Sequence, residues 1–437
     1  NMNYVIIHIL QKEKEERMAI YLVQGLLSII SLIKRRDNFI RYMADITMLY
    51  FLSYLCAGSF DMSLSLYAVF LIAGIGKLQK ISLGGIITGS WLCLYAGIGI
   101  VYQDAYMTLA TVVTRYAYII IYICMIFSEK IKQTKKVSAD DYRYMVQSGL
   151  LTEILIVIVV WMKDGIGSRV VTNHQPIGGG IVLGISLVVG ICYRQHLFRA
   201  GEMLLYDGIS MILIILSGTR GYMIIFAMIM AVTMIIYFMD IPDQGNRMLQ
   251  RIGVIFFVAA IAILWICIFD HGKTFELILR LDESLGYREN ENLYVRELMK
   301  RIPWYRKWFG WGFGRSAAGT KEALTAAGLA SWNRRYMFRK LLQRTIFHNY
   351  WYTILFKQGI SGLIVMILFY ARMVKRIFQN IKDRWIRYFL LMMAAGTVIS
   401  LTFRITATCS ILEMLLVAYF IRQMEEDNGE GEKENAE

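Results

Sequence analysis

Residues 348–371, HNYWYTILFKQGISGLIVMILFYA, decide the fold. After His348-Asn349 the run is apolar with few interruptions for more than 20 residues, and a bilayer core of about 30 Å needs roughly 20 residues of helix to cross it. The stretch therefore predicts a membrane helix over 348–371, with a histidine at its first position. Gly359 and Gly362 are small positions that let a neighbour pack close. A long, basic, Trp-rich segment precedes it, so the histidine stands where a loop meets the membrane surface.

Working outward, similar runs repeat along nearly the whole chain. The sequence has 437 residues, 57% of them hydrophobic, and three prolines. A soluble domain of this length has too little interior to hide so many long apolar runs. Helices are expected at 18–33, 41–58, 62–76, 83–101, 105–127, 144–162, 177–193, 203–217, 221–239, 252–269, 348–371, 388–403 and 407–421. This is an all-α polytopic membrane protein of about 12–13 spans, forming a single integral membrane domain over 1–437. No cleavable signal-peptide pattern is seen: the apolar stretch Tyr4–Leu10 runs into charged residues up to Arg17 instead of a small-residue cleavage site. The segment 1–17 is short, and as an interfacial helix it would put the N-terminus on the cytoplasmic side.

The formal charge of +14 sits in short loops and in one long loop. Lys34-Arg35-Arg36, Lys77 and Lys80, 130–136, 194–199, 247–251 and 372–387 fall on one side when the helices alternate. That side is cytoplasmic by the positive-inside rule. The long loop, 270–347, is then extracytoplasmic, and the acidic tail 423–437 is cytoplasmic. Topology explains the basic loops without nucleic acid. All six cysteines lie in apolar segments without metal-ligand spacing, so no metal or disulfide frame is expected.

The loop 270–347 is too long to be a simple connector. It interleaves Arg280, Arg288, Arg296, Arg301, Arg306 and Arg315 with Trp304, Trp308, Trp311 and Trp332. Residues 289–298 read as one helix and 320–330 as another. The loop reads either as a solvated segment with Trp at the interface or as a vestibule. In a vestibule, Arg forks grip phosphate and Trp faces stack on sugars.

Several constellations could carry chemistry. Ser217-Gly218-Thr219-Arg220-Gly221 opens a helix, and free N–H groups plus a guanidinium make an anion site. The alternative is an Arg220 reaching to lipid headgroups. Arg296 precedes Gly310-Trp311-Gly312-Phe313-Gly314, a run able to form an oxyanion-cradling turn; Arg296 could equally be only a neighbour of Glu297 on a surface helix. Arg169 and His174 lie in a second outer loop ending in Gly178-Gly179-Gly180, which also reads as an ordinary turn. His348 at a helix start is held neutral and so can accept a proton, or it merely caps the helix. Asn349 follows it, and Arg315 and Arg404 are further phosphate-ligand candidates. Arg115, Glu153 and Glu413 lie inside spans, where charge is costly, and Arg115 is expected to pair with one of the two acids.

In this order the parts resemble the O-antigen polymerase and O-antigen ligase superfamily. Arg169…Pro176 is similar to its Arg…Pro outer loop, and Ser217-x-x-Arg220-Gly221 to its Ser-x-x-Arg-Gly helix start. Arg296 with Gly310-x-Gly312-x-Gly314 is similar to the Arg and Gly-x-Gly element of its large loop. His348-Asn349…Gly359-Ile360-x-Gly362-Leu363 resembles the signature at the loop exit. The resemblance covers roughly 165–370. The chain departs from the family at Lys300, four residues after Arg296, where the family often has Trp.

The resemblance implies a GT-C-like membrane glycosyltransferase, inverting and metal-independent, without cofactor, in the cytoplasmic membrane of a bacterium and with its site facing outward. The implied substrate is an undecaprenyl-pyrophosphate-linked oligosaccharide. Membrane lipids, a chain-length regulator and a flippase are the expected partners, and no nucleic acid. Arg220 and Arg296 would neutralise the leaving pyrophosphate. His348 would take the acceptor proton. Arg169, His174, Asn349, Trp311, Arg315 and Arg404 would line the substrate site. Polymerase is the leading reading, and a ligase acting on a lipid or protein acceptor is its nearest rival. A flippase for the same lipid-linked sugars would instead carry its charges in a central cavity.

Overall fold

The computed structural model describes residues 2–35, 38–57, 79–80, 130–131, 137–165, 171–172, 175–176, 179–216, 220–244, 292–312, 325–326 and 350–403, with scattered residues from 63 to 101. The helices are α1 (Met2–Lys34), α2 (Phe39–Ala57), α3 (Ala139–Asp164), α4 (Gly179–Arg194), α5 (Ala200–Leu216), α6 (Arg220–Gln244), α7 (292–301), α8 (Trp304–Phe309), α9 (Tyr350–Asn380) and α10 (Arg384–Phe403). Eight of the expected spans coincide with such helices, and the described residues within 62–76 and 83–101 are helical too. Among the described residues, Glu15–Lys34, Ala139–Met162 and Trp351–Asn380 are long and apolar enough to cross a membrane, and Ile181–Arg194 and Ile225–Phe238 are shorter apolar helices. These are the dimensions of a helical membrane protein.

Two small antiparallel pairs qualify the all-α expectation. Gln79–Lys80 (β1) pairs with Lys130–Ile131 (β2), which joins two basic loops that charge counting had put on one side. Val171–Thr172 (β3) pairs with Gln175–Pro176 (β4), Val171 opposite Pro176. The loop before α4 is therefore a hairpin, with residues 173 and 174 between its strands.

Helix α4 is the centre. Every residue from Ile181 to Tyr193 is buried, and α3, α5, α6 and α10 pack around it. Inside a membrane such contacts are held by close packing, because lipid tails are as apolar as the side chains. Two glycines permit the approach. A Cβ on Gly190 would lie 2.7 Å from Phe389 Cζ of α10, and one on Gly149 would lie 2.7 Å from Ile185 Cδ1. By contrast α1 exposes Leu22, Val23, Leu26, Ile30 and Ile33 and turns Gln24, Ser28 and Ser31 inward. That is an outward apolar face with a polar seam.

Helix ends differ from the hydropathy boundaries for reasons in local chemistry. α3 begins five residues before the expected 144, because Ser138 and Asp141 form a capping box: Asp141 N donates to Ser138 Oγ at 3.3 Å, and Ser138 N donates to Asp141 Oδ2 at 2.9 Å. α9 runs past 371 to Asn380 on a buried stripe of Met366, Tyr370, Met373 and Ile377, spaced three and four residues apart. The expected loop 372–387 is thereby reduced to residues 381–383 between two helices. Asp383 Oδ1 caps α10, accepting from Trp385 N at 2.7 Å and Ile386 N at 3.1 Å. α1 continues without a break from Met2 to Lys34, so residues 2–17 extend the first span as one helix.

One end of the bundle carries a layer of arginine–carboxylate pairs. Arg35 meets Asp45 at 3.4 Å, Arg41 meets Asp141 at 2.6 Å, Arg143 meets Glu202 at 2.8 Å and Arg194 meets Asp383 at 2.8 Å. Arg143 also donates to Asp140 at 2.9 Å and to the Leu197 carbonyl at 3.3 Å. The layer links α1, α2, α3, α4, α5 and α10 at their polar ends. Of its arginines, Arg35 and Arg194 come from loops that the sequence had assigned to a single side.

Candidate functional site

The site is built where the long loop returns to α9. α7 buries Tyr294, Val295 and Leu298 and exposes Arg296. Pro303 then starts the short helix α8, whose Trp304, Tyr305, Trp308 and Phe309 are exposed. α8 stops at Gly310, with φ 66° and ψ −163°. α9 is broken at Gly359 in nearly the same conformation, φ 69° and ψ −163°. That region of backbone space is essentially closed to residues with a Cβ.

The two breaks fit together. In an unbroken helix the carbonyls of Phe356 and Lys357 would accept from residues 360 and 361. Here they accept from the loop: Trp311 N donates to Phe356 O at 3.0 Å, and Gly312 N donates to Lys357 O at 2.9 Å. The loop turn is thus clasped to the helix backbone to backbone.

Side chains seal the clasp. Trp311 stacks on Phe356 with ring centroids 6.4 Å apart. The Arg306 guanidinium lies 4.7 Å from the Trp311 ring centroid, and its Nη1 donates to Gly310 O at 3.3 Å. Lys357 is 1% exposed, with Nζ 5.5 Å from the Phe356 ring centroid. Behind it, Tyr95 OH donates to Gln358 O at 3.3 Å and contacts Ser361 Oγ at 3.2 Å. Gly362 makes room for its own helix: a Cβ there would meet Gln358 Cβ at 2.3 Å. Of the two small positions in this helix, then, Gly359 admits the neighbouring loop, and Gly362 admits Gln358.

Clasp and arginine layer lie at opposite ends of the part of α9 that follows Gly359. The 21 residues from Gly359 to Asn380 span ~32 Å at 1.5 Å per residue, about the thickness of a bilayer core. A polar, aromatic-rimmed loop therefore lies one membrane thickness from the ionic layer.

Arg220 is the first residue of α6, the helix start the sequence predicted. Arg296 is solvent-exposed on α7. Its neighbour Glu297 bonds Lys300, and that bond holds the Glu297 carboxyl below its usual range, with Arg301 and Arg296 adding to the effect. Trp311 is partly buried and engaged by Arg306 and Phe356, so the exposed aromatic faces nearby are those of Trp304, Tyr305, Trp308 and Phe309. His348, Asn349, Arg169, His174, Arg315 and Arg404 lie outside the described residues, as do Arg115 and Glu413. Glu153 is fully buried, and neither carboxylate oxygen has a hydrogen-bond partner among the described residues.

Two charged residues of interest escaped the sequence reading. Lys357 was quoted within a motif but not weighed as a buried cation. Asp207, fully buried in α5, was passed over inside an apolar run. A lone charge within a span was the available signal for both. No protein-family model matches the chain, and no curated protein sequence matches it.

Proposed function

We propose that the chain is a membrane-embedded inverting glycosyltransferase that polymerises a surface polysaccharide from undecaprenyl-pyrophosphate-linked repeat units. The observation that carries this reading is the clasp between Trp311-Gly312 and the break at Gly359. It ties the basic, aromatic loop to the helix that His348 and Asn349 precede in sequence. A substrate with an anionic headgroup and a sugar needs cations and aromatic faces together at the membrane surface, and Arg306, Trp304 and Trp308 supply both.

In this mechanism His348 takes the proton from an acceptor hydroxyl. The freed oxygen attacks the anomeric carbon from the face opposite the pyrophosphate, and the bond to the pyrophosphate oxygen breaks with inversion. Arg220 and Arg296 receive the departing negative charge. The arginine layer faces the cytoplasm of a bacterium by the positive-inside rule, so the clasp faces outward, where the lipid-linked unit is presented.

The test is incubation of the purified protein in nanodiscs with undecaprenyl-pyrophosphate-linked repeat unit alone. A ladder of longer lipid-linked glycans from wild type, lost in His348→Ala and Arg220→Lys, supports polymerase. Transfer only after a lipid or protein acceptor is added means ligase. No transfer to any acceptor sinks the enzyme reading. The second reading, a transporter of lipid-linked sugars, is favoured by one observation: Glu153 and Asp207 are carboxyls buried within the helices, away from the loop.

A further inference from the structure

Helices α3 and α5 run parallel in a fixed register. Arg143 Nε donates to Glu202 at 2.8 Å, and one turn on Gln147 Nε2 donates to Tyr206 OH at 3.1 Å. Both pairs are 59 residues apart. The same register sets Asp207 level with residue 148 and Ser210 level with 151. Glu153 then stands ~8 Å beyond Asp207 along the axis, with Ser210 between them. On antiparallel α4, Gly149 lies against Ile181 and Ile185, which puts Ser186 within ~3 Å of the Asp207 level. Four polar side chains thus occupy one band of the bundle, ~10 Å deep.

All four are 0% exposed. Both oxygens of Asp207, both of Glu153, and the hydroxyls of Ser186 and Ser210 have no hydrogen-bond partner among the described residues. Hydroxyls elsewhere on α3 and α6 are satisfied: Ser148 donates to Met145 O at 3.1 Å, Thr152 to Ser148 O at 2.7 Å and Thr233 to Ile229 O at 3.0 Å. Ser186 and Ser210 forgo that back-bond to the preceding turn. Ser210 follows Asp207 by three residues, so the two share a face of α5.

Among the described side chains of α3, α4, α5 and α6, the cations are committed elsewhere. Arg143 is held by Glu202 and Asp140, and Arg194 by Asp383. The remaining titratable groups with described side chains on α3, α4, α5 and α6 are Asp140 and Glu202, which are paired with Arg143, Asp141, which is paired with Arg41, and Tyr142, Tyr144, Tyr193, Tyr206, Tyr237 and Cys192. None of these carries positive charge. A buried carboxylate needs a neutralising partner, and a buried carboxylic acid needs an acceptor for its proton.

We propose that Asp207 and Ser210, with Glu153 and Ser186 in the same band, form an intramembrane site for a monovalent cation, a proton or a sodium ion. One unit of positive charge balances one carboxylate, and the serine hydroxyls supply neutral oxygens. The site goes beyond the glycosyl-transfer reading and does not depend on it.

The experiment uses the full chain in nanodiscs. Thermal unfolding is followed in sodium chloride against choline chloride at equal ionic strength. Carboxylic-acid carbonyl absorption is followed in the infrared from pH 5 to 9. A midpoint that rises with sodium in wild type, and no longer does so in Asp207→Asn and Ser210→Ala, establishes a sodium site. No sodium response, with an acid band that disappears reversibly as pH rises and is missing in Asp207→Asn, establishes a proton site. No sodium response and no titrating band overturns the proposal. Ser210→Ala keeps the test decisive if Asp207→Asn does not fold: unaltered sodium response and unaltered band in that variant also overturn the role of Ser210.

Discussion

Gly310 and Gly359 are the two halves of one lock: a Cβ on Gly310 would lie 2.5 Å from the Lys357 carbonyl oxygen, and a Cβ on Gly359 would lie 2.4 Å from the Trp308 carbonyl oxygen. Each glycine makes room for the other segment's backbone. Each also holds a conformation that a side chain would strain by about 1–3 kcal/mol. The loop–helix joint therefore rests on backbone shape more than on any single side chain.

Gly310→Ala and Gly359→Ala should each release the loop turn while leaving the bundle folded. Hydrogen exchange at the Trp311 and Gly312 amides reads this directly, and protection should fall by about 10-fold or more for a strain of this size. The double variant should lose little beyond either single one, since both break the same joint. Wild-type protection in both single variants would refute the lock.

Arg306→Lys should loosen the same joint more gently. Lysine keeps the charge but loses the planar guanidinium over Trp311 and weakens the donation to Gly310, a change of about 0.5–1 kcal/mol. Exchange in 304–312 should rise several-fold, with the global unfolding midpoint unmoved. An unchanged segment would mean that the stacking contributes nothing.

Asp383 should make the protein acid-sensitive. Partial burial opposes its charge, but the N–H groups of Ile386 and Trp385 and the guanidinium of Arg194 outweigh this and hold the carboxyl below its ordinary 3.8. A carboxyl depressed in the folded state contributes stability that is present above its unfolded value and is lost as pH falls through the folded one. The unfolding midpoint should thus drop as pH falls below about 4, and Asp383→Asn should be less stable than wild type at pH 7, by a gap that is smaller at pH 3. An Asn variant with the wild-type gap at both pH values would contradict the assignment.

His196 should be a site of easy stabilisation. It is the residue other than glycine with positive φ among those described, at 58°. It ends α4 in a Schellman arrangement, with Leu197 N donating to Cys192 O at 2.9 Å and His196 N to Tyr193 O at 3.0 Å. His196→Gly should gain up to about 1 kcal/mol and His196→Val should lose about as much. Denaturation midpoints that move in the opposite order would count against strain at this cap.

Much of the fold was legible because the bilayer imposes one rule on every span. Apolar length alone located α2, α4, α5 and α6 to within a few residues. It misplaced the start of α3 and the end of α9, since Ser138-x-x-Asp141 and the stripe through Met373 and Ile377 use polar or amphipathic residues that hydropathy discounts. Of the site, the Gly-x-Gly run and Gly359 were both singled out from sequence, as separate motifs. Their contact, across more than 40 residues of chain, was not in either motif. Asp207 was hidden because a single acid barely lowers the mean of a strongly apolar window.

The sequence by itself determined that this is a multi-span helical chain, because insertion into lipid depends on local hydrophobicity. It also marked the start of α6 at Arg220 and, to within two residues, that of α9. Only the tertiary structure decided that Gly310 and Gly359 interlock, that Lys357 is buried behind them, and that Asp207, Ser210, Glu153 and Ser186 fall in one band of the bundle, ~10 Å deep. Those facts depend on which residues of distant helices meet, and register between packed helices is set by the fit of whole surfaces, which no local stretch of sequence contains.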